Sequence, residues 1–287
     1  MRWSVLALSA FLALSGSAGI GGLSAAQPGE GPGCGTAEYL GNEGLFVAYG
    51  GGKILFDPFF EEDFEGNYTL VPDAKLAEIM AGRPPYDGIG AIFVSHMHPD
   101  HFSSGRIIAY LRAHPAVHLF STREIYDALR GAGIRSTDPL IRRLHAIDVG
   151  AGGPLHRSTH AGLGIEAYPI GHGRRSLQHL AFRVTIGDAV TVMHLGDASG
   201  EEELYAPYQA DLDRTPLHAL FAPDWLLTEP AGREDLARRF HAQTVTGIHA
   251  YSRWPAGTDF GGLRVFRTPG ESLRFGCDRE APGGGAR

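Results

Sequence analysis

Cysteine is scarce in this chain of 287 residues, which holds only Cys34 and Cys277. Neither has neighbours that would complete a metal site, so a cysteine-based metal centre is set aside. Positive charge is also in short supply. Twenty-five Lys and Arg face 32 Asp and Glu, the net charge is −7, and no basic run exists. A phosphate-coated partner such as nucleic acid therefore finds no electrostatic footing. No fixed-period repeat recurs along the chain, which speaks against a solenoid. What is present is an ordinary globular composition, 43% hydrophobic, in a length that suits one large domain or two small ones.

The first residues are Met1-Arg2-Trp3, then an apolar Ala/Leu/Ser-rich run from Ser4 to Gly22 that ends in Leu23-Ser24-Ala25-Ala26. One positive charge, an apolar stretch and small residues at its end read as a signal peptide over residues 1–26. Gly16, Gly19, Gly21 and Gly22 weaken the alternative of a membrane-spanning helix, so no stable membrane anchor is expected. The expected location is the periplasm or the outside of the cell. Export would place both cysteines in an oxidising compartment, where a Cys34–Cys277 disulfide tying the two ends is favoured over two free thiols. Cys34 lies well beyond the apolar run, which argues against a lipid-modified terminus.

After a Gly/Pro-rich leader, short β-like runs alternate with helical ones, an α/β pattern. Leu45–Tyr49 and Lys53–Phe56 flank Gly51-Gly52 and predict a hairpin. Asp73 is placed as the cap of a helix over 74–81, with Gly82 as its stop. A strand over 89–95 precedes a helix that begins at Ser103 or Ser104 and runs through His114. Ser121 and Glu124 are spaced as a capping box for a helix ending at Gly131. The second half predicts strands over 165–170, 180–186 and 190–195, the last two joined at Gly187-Asp188. Trp225-Leu226-Leu227 and 245–250 are further expected strands around a charged helix at 233–241, and 264–266 and 273–275 close the sheet. No internal boundary stands out beyond the Pro/Gly stretch Gly150–Pro154, so residues 27–280 are taken as one domain, with a glycine-rich, disordered tail over 281–287.

The stretch Ser95-His96-Met97-His98-Pro99-Asp100-His101 concentrates three histidines and an aspartate at the end of the apolar run Ile89–Val94. Imidazole nitrogen and carboxylate oxygen suit zinc, iron or manganese, and this spacing lets one turn serve two ions. The cluster buries nothing apolar, so packing does not explain it. Further polar residues stand at later strand ends beside small residues: His172 after Gly171, Asp197 after Gly196, and His249 in Gly247-Ile248-His249-Ala250.

In order and context these residues resemble the metallo-β-lactamase superfamily, in its broad branch of metal-dependent hydrolases that are not typical β-lactamases. The resemblance spans Gly41-Asn42-Glu43-Gly44, Asp57-Pro58-Phe59, the Ser95–Phe102 block, His172, the His194–Asp197 block and His249. It implies a four-layer αββα sandwich with ligands on loops along one edge. It also implies that His96, His98 and His172 hold a first metal, that Asp100, His101 and His249 hold a second, and that Asp197 bridges them. Two divalent ions are then expected, zinc with iron or manganese as alternatives.

A water shared by two cations becomes a hydroxide nucleophile near neutral pH, with Asp100 as the catalytic residue that orients it and passes its proton on. The expected activity is hydrolysis of an ester, phosphodiester, lactone or amide in a small-molecule substrate; oligomeric state is left open. The alternatives are a non-catalytic metal-binding protein, an iron-dependent oxidoreductase, and a β-lactamase, whose pattern lacks the bridging aspartate. His179 and His194 stand as supports for ligands or as structural residues, and Asp57 as a ligand-loop support or a turn former. Phe59, Phe60, Tyr251 and Trp254 are read as packing, with a pocket wall as the alternative, and Arg174 and Arg175 as solvated charge, with attraction of an anionic substrate group as the alternative. His114, His118, His156 and His160 are read as surface residues.

Overall fold

The computed structural model describes residues 33–277 apart from 174–176, 215 and 256. The expected signal peptide over 1–26, the tail over 281–287, and Arg174 and Arg175 all lie outside the described residues. Strands β1 (Gly35–Gly41), β2 (Gly44–Tyr49), β3 (Gly52–Phe56), β4 (Ala91–Val94), β5 (His118–Thr122) and β6 (Leu144–Ile147) build one sheet. Strands β7 (His156–His160), β8 (Leu163–Tyr168), β9 (Ala181–Ile186), β10 (Val190–His194), β11 (Ala219–Pro223), β12 (Val245–Ile248) and β13 (Arg264–Val265) build the other. The last strand, β14 (Ser272–Phe275), returns to the first sheet beside β1.

Period-two patterning explains why the sheets face each other. In β2, β3 and β4 the residues Leu45, Val47, Ile54, Phe56, Ala91 and Phe93 turn inward and meet Phe182, Val184, Val192 and Phe221 of the opposite sheet. The alternate residues Phe46, Leu55, Ile92 and Val94 turn outward, where helices α1 (Asp73–Met80), α2 (Ser104–Ala113) and α3 (Arg123–Gly131) cover them. The outer face of the second sheet is covered by α4 (Glu202–Tyr205), α5 (Gln209–Leu212), α6 (Trp225–Thr228) and α7 (Pro230–Phe240). The result is the expected αββα sandwich, with three apolar layers between its four tiers. No described helix is long and apolar enough to cross a membrane.

Strand direction positions the site. β3 to β6 run parallel, as do β10 to β13, so both sheets are hydrophobic on both faces there, and their carboxyl ends open at one edge. Ser95 follows β4, Asp57 follows β3, Asp197 lies three residues beyond β10, and His249 follows β12.

Several local expectations are corrected. Trp225-Leu226-Leu227 is the helix α6, since the Leu227 and Thr228 N–H groups donate to the Asp224 carbonyl; a three-residue apolar run does not discriminate strand from buried helix. Pro72, not Asp73, occupies the α1 cap position, and Asp73 is the first helical residue. Thr122, not Ser121, caps α3 by accepting from the Ile125 N–H at 3.3 Å. Ser121 is held in β5, and Glu124 exchanges hydrogen bonds with Gln178 across the molecule instead of closing a capping box. His114, His118, His156 and His160 are half-buried rather than surface residues, whereas Phe59 and Phe60 are fully buried, as the packing reading expected. The two ends are joined as expected by a disulfide between Cys34 and Cys277.

Candidate metal centre

The segment after β4 delivers its side chains through a tight turn. The His101 and Phe102 N–H groups both donate to the His98 carbonyl at 3.0 Å, which turns His96, His98, Asp100 and His101 toward one centre. His249 sits in the left-handed region at φ 54°, its N–H donating to the Asn42 carbonyl at 3.0 Å. That backbone is costly for a residue with a side chain, and here it turns the imidazole inward. Gly196 also has a positive φ, 56°, and an added Cβ would stand 2.5 Å from His179 Nε2 and 2.8 Å from Ser95 Cβ. Only glycine lets the chain bring Asp197 this close.

All seven predicted ligands converge. His96 Nε2 lies 2.9 Å from His98 Nδ1, and Asp197 Oδ2 lies 3.6 Å from His96 Nε2 and 3.2 Å from His172 Nε2. The other oxygen, Oδ1, is 3.2 Å from His101 Nε2 and 3.3 Å from His249 Nε2. Asp100 Oδ2 completes this second group at 3.4 Å from His101 and 3.3 Å from His249. The donor atoms thus fall into two sets, with one carboxylate oxygen of Asp197 facing each.

These groups fit metal ions better than they fit one another. Asp197 Oδ1, Asp100 Oδ1, His101 Nε2 and both ring nitrogens of His249 are buried without hydrogen-bond partners. Two atoms each about 2.1 Å from a tetrahedral ion stand roughly 3.4 Å apart, which is the spacing seen here. An all-nitrogen and oxygen donor set suits zinc, iron or manganese.

The electrostatics are those of a densely packed ionic site. Burial opposes ionisation of Asp197, yet the imidazoles of His249 and His101 outweigh it and hold its carboxyl well below the usual range. Burial also opposes the charge of Asp100, which the neighbouring His101 and His249 imidazoles overcome. His96 is driven well below the ordinary histidine value by burial and by His101, so it presents a neutral imidazole. His101 is pushed up, because Asp197 and Asp100 outweigh its burial.

Around the ligands lies a shell that fixes their tautomers. The Ser95 hydroxyl donates to Asp57 Oδ2 at 2.6 Å, so its oxygen is left to accept from His96 Nδ1 at 3.0 Å, and His96 Nε2 faces the centre bare. Asp57 Oδ2 also accepts from His101 Nδ1 at 3.0 Å, while Oδ1 accepts from the Ser95 N–H at 2.8 Å. Asp57 is therefore a ligand-loop support as well as a turn residue at φ 36°. His179 donates from Nδ1 to the Ile170 carbonyl at 2.7 Å and touches His96 and His172 by its ring. His194 donates to the Glu43 carbonyl at 2.9 Å and accepts from the Gly196 N–H at 3.2 Å, fixing the turn that carries Asp197.

Sequence reasoning missed the roles of Asn42, Glu43, Ser95, Tyr68 and Asp224. Asn42 Nδ2 donates to the Asp100 carbonyl at 2.9 Å and to its Oδ2 at 3.2 Å. Glu43 is fully buried 3.7 Å from both His101 Nδ1 and His194 Nε2, and burial followed by repulsion from Asp197 raises its pKa well above the usual value. Tyr68 sets its ring edge-on to His249 at 4.1 Å, and burial pushes its phenol up to about 12. Asp224 Oδ2 accepts from the Tyr251 N–H and from Trp254 Nε1, anchoring the segment after His249. The Asn42-Glu43 pair stood in the motif preceding β2, but nothing local indicated which ligand each would reach.

Solved structures with the same architecture include the metallo-β-lactamase fold protein YhfI of Bacillus subtilis, with a TM-score of 0.57 at 12% identity, covering 84% of this chain and 99% of that one. Igni18, a metallo hydrolase of Ignicoccus hospitalis, gives 0.53 at 18% identity over 84% of this chain and 98% of that one. CmlA, a diiron β-hydroxylase of Streptomyces venezuelae, gives 0.50 at 14% identity over 85% of this chain and 55% of that one. No curated protein matches the chain by sequence. Residues 53–257 match the beta-lactamase superfamily domain, a segment that runs from β3 past the last ligand. With its αββα fold and its clustered histidines and aspartates, the chain belongs to the metallo-β-lactamase fold family, which includes metal-dependent hydrolases.

Proposed function

We propose that this protein is an exported, binuclear metal-dependent hydrolase acting on a small molecule, and that it cleaves an ester, phosphodiester, lactone or amide. The observation that carries the reading is the division of Asp197, whose Oδ1 faces His101 and His249 while Oδ2 faces His96 and His172. His96, His98 and His172 would hold one ion, Asp100, His101 and His249 the other, and Asp197 both. Divalent ions bound there supply acidification of water and polarisation of a substrate oxygen, and zinc is the proposed metal.

The chain's own groups do the rest. Asn42 fixes Asp100 by donating to Oδ2, leaving Oδ1 without a partner and able to take a proton and hand it to a leaving group. Asp57 and Ser95 hold the two histidines in the tautomers that keep Nε2 free. His98 and His172 are half-buried whereas the other ligands are buried, so a substrate enters on their side. Export to the periplasm or the outside is supported by the Cys34–Cys277 disulfide, which a reducing cytosol would not maintain.

The same donor set also suits iron, and the diiron hydroxylase CmlA shares the fold, so an iron-dependent oxidoreductase is the second reading. Metal quantification on the purified protein, with a panel of chromogenic phosphodiester, ester, lactone and β-lactam substrates, separates the two. Two zinc ions per chain with turnover of a panel substrate support the hydrolase. Iron with no hydrolysis supports the alternative, and metal binding without either activity marks a binding protein.

A further inference from the structure

Among the described residues the exposed large hydrophobics are Phe64, Leu70 and Met97. Met97 stands between His96 and His98. Phe64 and Leu70 belong to the segment 61–70, which leaves the Pro99 carbonyl, where the Glu61 and Glu62 N–H groups donate at 3.3 Å, and arrives over His249 through Tyr68. This strap thus runs from Pro99, next to Asp100, to the His249 ring.

The strap is built, not slack. The Glu62 carboxylate accepts from the Phe64 N–H at 2.8 Å, Ser252 N–H donates to the Asn67 carbonyl at 2.7 Å, and Arg253 donates to the Glu65 carbonyl at 3.0 Å. Phe64 and Glu65 are both left-handed, at φ 49° and 62°. An aromatic residue rarely holds that backbone, and here it leaves much of the ring in water. From Phe64 the rings continue edge to face through Tyr68 at 6.3 Å and Tyr251 at 6.4 Å, and Trp225 stands 5.1 Å from His249. An aromatic wall thus begins at the metal ligands and ends in solvent.

Charge selects what lies on this wall. The strap carries Glu61, Glu62, Asp63 and Glu65; Glu61 pairs with Arg106 at 3.0 Å, and no ion pair among the described residues joins the other three. Set against Arg106 and Arg253, which both reach the strap, the four acids leave a net negative charge that disfavours an anionic group on this side.

We infer that the strap and the aromatic wall form a subsite for an uncharged apolar group attached to the scissile bond. The substrate is then an ester, lactone or amide with an apolar arm, rather than a phosphodiester or a substrate with an anionic arm. This rests on the metal-centre reading above, and the test separates the two.

The metal-loaded full chain is titrated calorimetrically with acetohydroxamate, octanohydroxamate and an eight-carbon hydroxamate ending in a carboxylate, and p-nitrophenyl acetate and octanoate are compared as substrates. Octanohydroxamate is expected to bind at least about tenfold tighter than acetohydroxamate, since burying two methylenes already gives that gain, and the terminal carboxylate removes it. Phe64→Ser or Tyr68→Ser reduces the octanoyl preference to within about threefold; Phe64 is exposed, so its loss leaves the core intact. Equal binding of the two hydroxamates, an octanoyl preference unchanged in both variants, or equally tight binding of the carboxylate-ended chain overturns the subsite. An octanoyl binding preference without turnover of either ester overturns the hydrolase reading and leaves the subsite standing.

Discussion

Asp57 Oδ2 accepts a hydrogen bond from His101 Nδ1 at 3.0 Å, and both side chains are buried. The carboxylate holds the imidazole in one tautomer and raises the basicity of the nitrogen that faces the metal centre. Asp57→Asn keeps the shape and tolerates the left-handed backbone but loses the charge. It should weaken metal binding by about tenfold to a hundredfold, measured by competition with a chelating dye. Unchanged affinity would reduce Asp57 to a turn former.

Asp197→Ala removes the carboxylate common to both donor sets. Metal content by plasma mass spectrometry should fall, and hydrolysis should drop to background, while the far-UV circular dichroism stays that of the wild type. Wild-type activity in this variant would sink the two-metal proposal.

Gly196→Ala tests the turn that carries Asp197. The new methyl would meet His179 Nε2 at 2.5 Å and Ser95 Cβ at 2.8 Å on a left-handed backbone, so either the turn or the histidine shell must shift. A loss of about 1–3 kcal/mol in urea unfolding is expected together with weaker metal binding. A variant with unaltered metal affinity would show that the close approach is not required.

The disulfide closes a separation of 243 residues and ties the chain before β1 to that after β14. Replacing both cysteines by serine should cost about 2–5 kcal/mol, read as a lowered urea midpoint, because the unfolded chain regains freedom. Equal midpoints for the variant and the wild type would contradict this.

Acid should destabilise the fold through His118. Burial, then His160 at a ring distance of 4.0 Å, then His145, pull its pKa from 6.5 down to about 4. Above about pH 6.5 the folded and unfolded chains are both neutral at this group. Between about pH 6.5 and 4 the unfolded chain binds a proton that the folded chain refuses, so stability falls with pH across that window and levels off below it. In metal-free protein the urea midpoint should decline over this range, and His118→Gln should decline less steeply. Parallel slopes would assign the acid sensitivity elsewhere.

Much of this was legible before folding. The Gly187-Asp188 turn and the period-two strands are local signals, and both hairpins formed where expected. The strands and helices whose partners are distant were harder. β1, β6, β7 and β11 went unrecognised, and that β14 joins the first sheet beside β1 was not foreseen, because pairing depends on what lies alongside. The α3 cap moved one residue because Glu124 found Gln178, 54 positions away, and a capping box competes poorly with a tertiary hydrogen-bond pair.

For the centre itself, the sequence alone determined which side chains could bind metal. Histidines at 96, 98 and 101 with Asp100 have no other economical use, and their spacing along a strand end is a local fact. Only the tertiary structure decided that Asp197 turns one oxygen to each set, that Asp57 and Asn42 stand behind His101 and Asp100, and that Tyr68 closes on His249. Those relations join residues brought together by two sheets stacking at one edge. Burial of the apolar layers between the sheets sets them, and no interval along the chain records them.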